Sequence, residues 1–458
     1  MRYMGFVFTV FWLGQSVGLA AADDQRPNIV LIMCDDMGFE GVSAYGSTSY
    51  KTPTLDRLAS EGMLFRHCYS TPICTTSRVQ LMTGKYNFRN YVKFGHLNTN
   101  QTTFANLLKD AGYETAIAGK WQLEGNGDTV RGFGFDEYCL WNIEGRESRF
   151  WEPRLIQNDK LREDVADRFG PDVVTDFLVD FIKRPREGPF LAYFPMMLVH
   201  WPFVPTPDSA PGGSRERLGK YDGRKGGEEY FPDMVAYLDK VIARIDGALE
   251  AAGVRDNTLL LFTCDNGCAI NITSEYRGGT IKGGKASLPD AGTHVALVAS
   301  WPAGIKKAGT TTALVDLSDV LPTLMELAGV ELPPTFVTDG TSFLNVLQGE
   351  SQGNREWLFC HYIRNGIRPA PADAAARQKV IATQAAGKEA KRLGRWARTE
   401  RYKLYEDGRL YDVRQDLLEL EVIPIGEGRR GAEAARTQLQ DVHDRMPPWQ
   451  TFRKPAKK

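Results

Sequence analysis

Several short apolar runs that do not alternate with polar residues constrain this chain more than any other feature. They are Asn28 to Met33, Glu114 to Ala118, Phe190 to Phe194, Thr258 to Thr263 and His294 to Ser300. Each has the length of a strand, and an unalternating strand is one buried on both faces. Between them lie helical patterns. Thr103 to Ala111 carries Phe104, Leu107 and Leu108, and Met234 to Leu249 carries Val235, Leu238, Val241, Ile242, Ile245 and Leu249 at helical spacing. Strands alternating with helices predict an α/β fold, a mostly parallel sheet sandwiched by helices.

The polar residues that follow these runs are the next constraint. The first run leads into Asp35-Asp36, the second into Gly119-Lys120-Trp121-Gln122, the third to His200-Trp201-Pro202, and the fourth into Asp265-Asn266-Gly267. Open α/β sheets bind ligands at the carboxyl ends of their strands. Taken singly, each has an ordinary explanation. An acidic pair caps helices, Asn-Gly makes turns, and a Lys or a His sits on a surface. Together they bring acids, a Lys and a His to one edge of one sheet. Asp35, Asp36, Asp265 and the amide of Asn266 form an all-oxygen set suited to a hard cation: Ca²⁺, with Mg²⁺ as the alternative, rather than zinc.

A further segment, Pro72-Ile73-Cys74-Thr75-Thr76-Ser77-Arg78, precedes Val79, Leu81 and Met82, so a helix is expected to begin near Cys74. A helix N-terminus offers free N–H groups to an anion. Arg78, one turn on, is within reach of both the anion and residue 74. The ordinary reading of Cys74 is a small buried thiol.

With these residues assembled, the chain resembles the formylglycine-dependent sulfatases of the alkaline phosphatase superfamily. The resemblance runs from Pro27 to the C-terminal hairpin. It includes Asp35-Asp36, Cys74 with Arg78 and Thr83-Gly84, Gly119-Lys120-Trp121, Asp265-Asn266-Gly267, and the stretch from Gly284-Lys285 to Trp301-Pro302. It implies a sulfuric ester hydrolase in which Cys74 is oxidised to formylglycine by a maturation enzyme. Asp35, Asp36, Asp265, Asn266 and modified residue 74 would bind the metal. Arg78 and Lys120 would stabilise the aldehyde hydrate and the sulfate oxygens. His200 and Lys285 would hold sulfate and help protonate the leaving alcohol. One hydroxyl of the hydrate would attack sulfur and the other would later expel sulfate as the aldehyde re-forms.

Two residues depart from the family pattern. Thr76 stands where Pro or Ala is usual, a position read by the maturing enzyme. Gln122 stands where a His is usual, and an amide can hydrogen-bond the hydrate but cannot take its proton. The alternatives are a phosphonate monoester or phosphodiester hydrolase on the same scaffold, and an unmodified homologue that binds sulfated glycans without cleaving them. Trp141, Arg146, Arg149 and Trp151 are candidates to line a carbohydrate cleft, and His294 is expected to face it.

The rest of the sequence sets the surroundings. Arg2, the apolar run Tyr3 to Leu13 and Ala20-Ala21-Ala22 have the layout of a secretory signal over residues 1–22, which predicts a secreted or periplasmic protein with no membrane span once the signal is removed. A formal net charge of −1 shows no basic surplus for a nucleic-acid partner. Cys34, Cys68, Cys74, Cys139, Cys264, Cys268 and Cys360 form no dense disulfide framework, and their spacing does not pair them. The catalytic domain is expected over 23–350 and a small antiparallel sheet with a helix over 351–458. There Trp396 to Tyr405, Asp407-Gly408 and Arg409 to Val413 read as a hairpin. Pro369 to Lys391 reads as a loop or peripheral helix, and the C-terminal residues as a frayed end.

Overall fold

A computed structural model describes residues 26–145, 147–209, 227–353, 355–363, 393–427 and 430–447. The signal segment, Arg146, the stretch from Pro369 to Lys391 and the C-terminal end lie outside these residues.

The apolar runs assemble as expected. Thr258–Cys264, Asn28–Cys34, Phe190–Pro195 and Glu114–Lys120 are consecutive neighbours in one sheet, and each pairs parallel with the next. All seven residues of Asn28–Cys34 are buried, the state that an unalternating sequence demands. Each fully buried Leu, Ile or Val contributes about 1.5–3 kcal/mol of transfer free energy. The sheet has 11 strands. Glu137–Trp141 continues it in parallel, and Leu155–Gln157 and Lys160–Leu161 finish that side antiparallel. Helices flank it. Gly170–Lys183 packs on Phe231–Ala251, and Cys74–Thr83 packs on Val320–Leu327. The fold is therefore α/β with a mostly parallel sheet.

Two sequence expectations need correction. His294 to Ser300 is not one strand of the parallel set. It divides into His294–Val295 and Leu297–Ser300, both antiparallel to Met63–Tyr69. Met63–Tyr69 also pairs parallel with Gly309–Asp316. Neither of these strands stands out in the sequence, because half-buried Arg66 and His67 interrupt the first and exposed threonines open the second. Likewise, Trp396 to Tyr405 is two strands, Leu393–Arg398 and Tyr402–Tyr405. Between them, Thr399 Oγ1 accepts the backbone N–H groups of Arg401 and Tyr402 and closes a turn.

These two strands belong to a separate four-stranded antiparallel sheet, in the order Leu358–Ile363, Leu393–Arg398, Tyr402–Tyr405, Leu410–Asp412. The Asp407-Gly408 turn joins the last two, as its sequence predicts. Ala432, Ala435, Leu439 and Val442, on the helix Arg430–Arg445, pack on this sheet. A buried ionic cluster ties the sheet to the main domain. Arg398 donates to both oxygens of Asp290, and Lys403 donates to Asp290 Oδ1 at 2.9 Å and to Glu419 Oε1 at 2.7 Å. Two cations against two carboxylates leave the cluster neutral, the condition for burying charge.

Candidate active site

The site is built where the four parallel strands end. Cys34 and Cys264 lie opposite each other in the register, so the next residues, Asp35 and Asp265, leave their strands side by side. Asp265 Oδ1 accepts the backbone N–H of Asp36 at 3.0 Å. On the Glu114–Lys120 strand, Gly119 has φ 123°, and a Cβ there would stand 2.1 Å from the Pro195 carbonyl oxygen. Glycine at 119 therefore permits the close approach that carries Lys120 inward.

Cys74 is the first residue of the helix Cys74–Thr83, which is buried on all sides. Its early polar residues are satisfied locally. Thr76 Oγ1 donates to the Ile73 carbonyl at 2.8 Å, and Ser77 Oγ donates to the Thr71 carbonyl at 2.8 Å. Gly84, at φ 65°, ends the helix in the left-handed conformation. The segment bearing Lys285 is tied to the same place, since the Ala286 N–H donates to the Pro72 carbonyl at 2.7 Å.

These residues meet in one buried hollow. Lys120 Nζ donates to Asp35 Oδ1 and Oδ2 at 2.8 and 2.7 Å. An Arg78 guanidinium nitrogen donates to Asp265 Oδ2 at 2.9 Å and lies 3.7 Å from Asp35. Lys285 pairs with Asp36, and His200 Nε2 lies 3.5 Å from the same carboxylate oxygen. Asn266 Nδ2 donates to Asp36 Oδ1 at 2.9 Å. The Cys74 thiol donates to Gln122 Oε1 at 3.2 Å. The sequence-predicted residues Asp35, Asp36, Arg78, Lys120, His200, Asp265, Asn266 and Lys285 are thus linked in one network, and the Cys74–Gln122 pair lies within the field of Lys120 and Lys285.

Its electrostatics follow from burial and neighbours. Burial alone would raise Asp35, but Lys120, His200 and Arg78 outweigh it and hold the carboxyl well below its usual range. Asp36 is lowered against burial by His200 and Lys285. Asp265 goes the other way, raised by burial and by the charge of Asp35. Burial raises the Cys74 thiol. It also pushes His200 down to about 3, so this imidazole is neutral at neutral pH and bears on Asp35 and Asp36 as a charge only in acid, once protonated.

Two features fit a cation among these groups. Asn266 Oδ1 is buried with no hydrogen-bond partner among the described residues, although its amide nitrogen is bonded. The second is the tautomer of His200. Its Nδ1 faces the Trp201 carbonyl, so it carries the proton and Nε2 presents a lone pair toward Asp36. Two acceptors facing each other are compatible with a cation or a proton between them, and the Lys285 ammonium already pairs with that Asp36 oxygen. Ligand atoms of Asp35, Asp36 and His200 lie within 4.8 Å of one another. The donor set is rich in oxygen and suits a hard cation.

The expected cleft residues fare differently. Trp141 and Trp151 are buried; Trp151 packs on Phe169, and its Nε1 donates to the Pro205 carbonyl at 2.8 Å. His294 does not face the cleft either. It stacks between Phe39 and Tyr69, with ring centroids at 4.0 and 4.7 Å, and Nε2 contacts the Arg66 carbonyl at 2.8 Å. It opens the strand His294–Val295 opposite Tyr69, at the edge where the parallel strands end, and the aromatic stack turns its ring into the interior. Arg149 does reach the site, 3.7 Å from Asp35 Oδ2. Sequence reasoning missed buried Glu40, just beyond Asp36. The cysteines are all buried and free, with no disulfide among the seven.

A parallel α/β sheet whose strand ends join three carboxylates, fixed cations and a helix-borne Cys74 defines a site for an anionic ester. The chain belongs to the sulfatase family: the family described as sulfatase matches residues 27–330, and a second, described as N-sulphoglucosamine sulphohydrolase, C-terminal, matches 285–430. It is 31% identical over 371 residues to N-acetylgalactosamine-6-sulfatase of Mus musculus, covering 72% of this chain and 68% of the relative. It is 28% identical over 432 residues to N-acetylgalactosamine-6-O-sulfatase of Bacteroides thetaiotaomicron, covering 75% and 81%. Among solved structures, a protein in complex with its substrate D-glucosamine-2-N,6-O-disulfate superposes with TM-score 0.72 at 22% identity, over 92% of this chain and 98% of the other. A sulfatase from Pseudoalteromonas sp. superposes with TM-score 0.68 at 20% identity, over 93% and 91%. The protein is a sulfuric ester hydrolase. Among the described residues, no helix is long and apolar enough to cross a membrane.

Proposed function

We propose that this sulfatase acts on sulfated carbohydrate, with a formylglycine made from Cys74 by a maturation enzyme as nucleophile and a Ca²⁺ ion in its site. The observation that carries the reading is the arrangement around Cys74. Its sulfur lies on the Gln122 amide, and three carboxylates, an unpartnered amide oxygen and three fixed cations share one network. The relatives' names and the neighbour solved with a disulfated glucosamine support a sulfated sugar as substrate. The layout of residues 1–22 supports export to a secreted or periplasmic location, where calcium is at hand.

Asp35, Asp36, Asp265 and Asn266, with modified residue 74, would hold the cation, which supplies positive charge against the sulfate oxygens. The aldehyde supplies a hydrate oxygen able to attack sulfur. Arg78 and Lys120 orient that hydrate and neutralise the sulfate, so that an oxygen nucleophile can approach an anion. Gln122 fixes the hydrate by hydrogen bonding without taking its proton. Neutral His200 has its Nε2 lone pair free of a protein donor and takes that role. Neighbouring carboxylates, Asp36 foremost, outweigh burial and keep Lys285 protonated above its usual range, so its ammonium holds sulfate and donates to the leaving alcohol.

The test is the mass of the tryptic peptide His67 to Arg78, from protein made in a host with a formylglycine-generating system. The aldehyde form, with aryl sulfate turnover lost in Cys74→Ala, is the expected result. An intact thiol alongside a converted control sulfatase would overturn the nucleophile assignment.

A further inference from the structure

One cation in the hollow has no part in this mechanism. Arg149 lies on the loop after Glu137–Trp141, and its backbone is pinned. Gly170, which opens the helix Gly170–Lys183, approaches so closely that a Cβ there would stand 2.1 Å from the Arg149 carbonyl oxygen. The loop is held from its other end by Trp141, whose Nε1 donates to the Glu147 carbonyl at 2.9 Å. The guanidinium lies over the Trp141 ring at 3.9 Å from its centroid. Stacking of this kind immobilises the planar head and leaves its edge free to bind.

That edge is unsatisfied. One terminal nitrogen of Arg149 is buried with no hydrogen-bond partner among the described residues. Its nearest anion is Asp35 Oδ2 at 3.7 Å, beyond hydrogen-bond distance, and both Asp35 oxygens already accept from Lys120. Arg149 is therefore not the settled partner of Asp35. Burial opposes its charge, and the carboxylates of Asp35 and Asp36 favour it. A fixed, largely buried cation beside a carboxylate already committed to Lys120 calls for an anion supplied from outside.

We propose that Arg149 is a catalytic residue that binds the non-bridging oxygens of the scissile sulfate. The assignment rests on the sulfatase reading of the site. Arg149 adds a fixed positive charge to the hollow where Gln122 offers only an amide. Sulfate presents oxygen pairs that a guanidinium fork grips with two hydrogen bonds, whereas an ammonium grips as a point charge.

The experiment measures inorganic sulfate binding by calorimetry and aryl sulfate hydrolysis, on the full chain with residue 74 converted. Arg149→Met should weaken sulfate binding by at least about 10-fold and lower kcat/KM by about 100-fold, the scale of losing one oxyanion donor. Tm should be unchanged. Arg149→Lys preserves length and charge, so it tests the fork even if the methionine variant folds poorly, and it should recover only part of both losses. Lys240→Ala, which removes an exposed cation paired with Asp208, should match the parent. Parent-like sulfate affinity and kcat/KM in the arginine variants would overturn the assignment and leave the sulfatase reading standing. A converted parent that neither binds sulfate nor hydrolyses its esters would sink both.

Discussion

Cys34 and Cys264 face each other across the two central parallel strands, and the residue after each is a carboxylate of the site, Asp35 and Asp265. The backbone ladder therefore sets the spacing of the two acids before any ion arrives. Such preorganisation leaves like charges close together; burial and the charge of Asp35 raise Asp265, while cations hold Asp35 down.

A bound cation should accordingly contribute to folding as well as to catalysis. Chelation is expected to lower Tm, and added Ca²⁺ to restore it, by an amount that grows with free calcium. Asp35→Asn and Asp265→Asn should each cost at least about 100-fold in activity and lose the calcium-dependent rise in Tm. Differential scanning calorimetry with and without chelator checks this, and unchanged melting would remove the cation from the site.

Glu40 gives a pH signature separate from the chemistry. It is fully buried, and burial outweighs the contacts with Cys268 and pushes it up to about 7. An acid raised on folding binds more protons in the folded state, so its contribution to stability falls as pH rises from its unfolded value toward 7. Relative to the parent, Glu40→Gln should gain stability between pH 5 and pH 8, by up to about 3 kcal/mol. Urea titrations at the two pH values measure the difference. A gap that does not change with pH would show that Glu40 ionises normally.

The cluster at Asp290 predicts a large mechanical effect from one side chain. Lys403 is fully buried between Asp290 and Glu419, so Lys403→Met leaves a carboxylate charge uncompensated. The expected loss is about 3–5 kcal/mol, against less than about 0.5 kcal/mol for exposed Lys240→Met. Chemical denaturation of both variants is the comparison. Equal, small losses would mean the cluster relaxes or hydrates.

Gln122 is the clearest point of departure in the chemistry. Its φ of 54° lies in the left-handed region, which histidine also tolerates. Gln122→His would put a titratable base beside residue 74. Turnover of an aryl sulfate should rise toward the roughly 100-fold that a positioned base contributes. The pH–rate profile should gain a limb near the histidine pKa. A profile superimposable on the parent would show that proton removal does not limit the reaction.

The central sheet and most of the site were legible because one physical rule covers both. Strands buried on two faces lose their alternation, and their carboxyl ends collect polar residues, which is how Asp35, Lys120, His200 and Asp265 were found. The rule is silent about strands that carry polar residues on a face. Met63–Tyr69 carries Arg66 and His67 and pairs both parallel and antiparallel, and His294, which the sequence places in the cleft, stacks in the interior. Arg149 reads from the sequence as a cleft residue. Its place beside Asp35 depends on a loop pinned through Gly170 and Trp141, which no spacing encodes. Asp290, Arg398, Lys403 and Glu419 lie up to 129 positions apart, too far for a sequence pattern to connect them.

The enclosure of Cys74 has a consequence for the order of events in the protein's life. The side chain is almost wholly covered, it begins a helix buried on every side, and its sulfur points into the hollow at Gln122. An enzyme acting on this side chain must reach it, and in the folded protein both the side chain and its helix are covered. Any enzyme-made change at this position therefore has to precede closure of the chain. The interval between synthesis and folding, rather than the lifetime of the finished molecule, is the window in which its reactivity is decided.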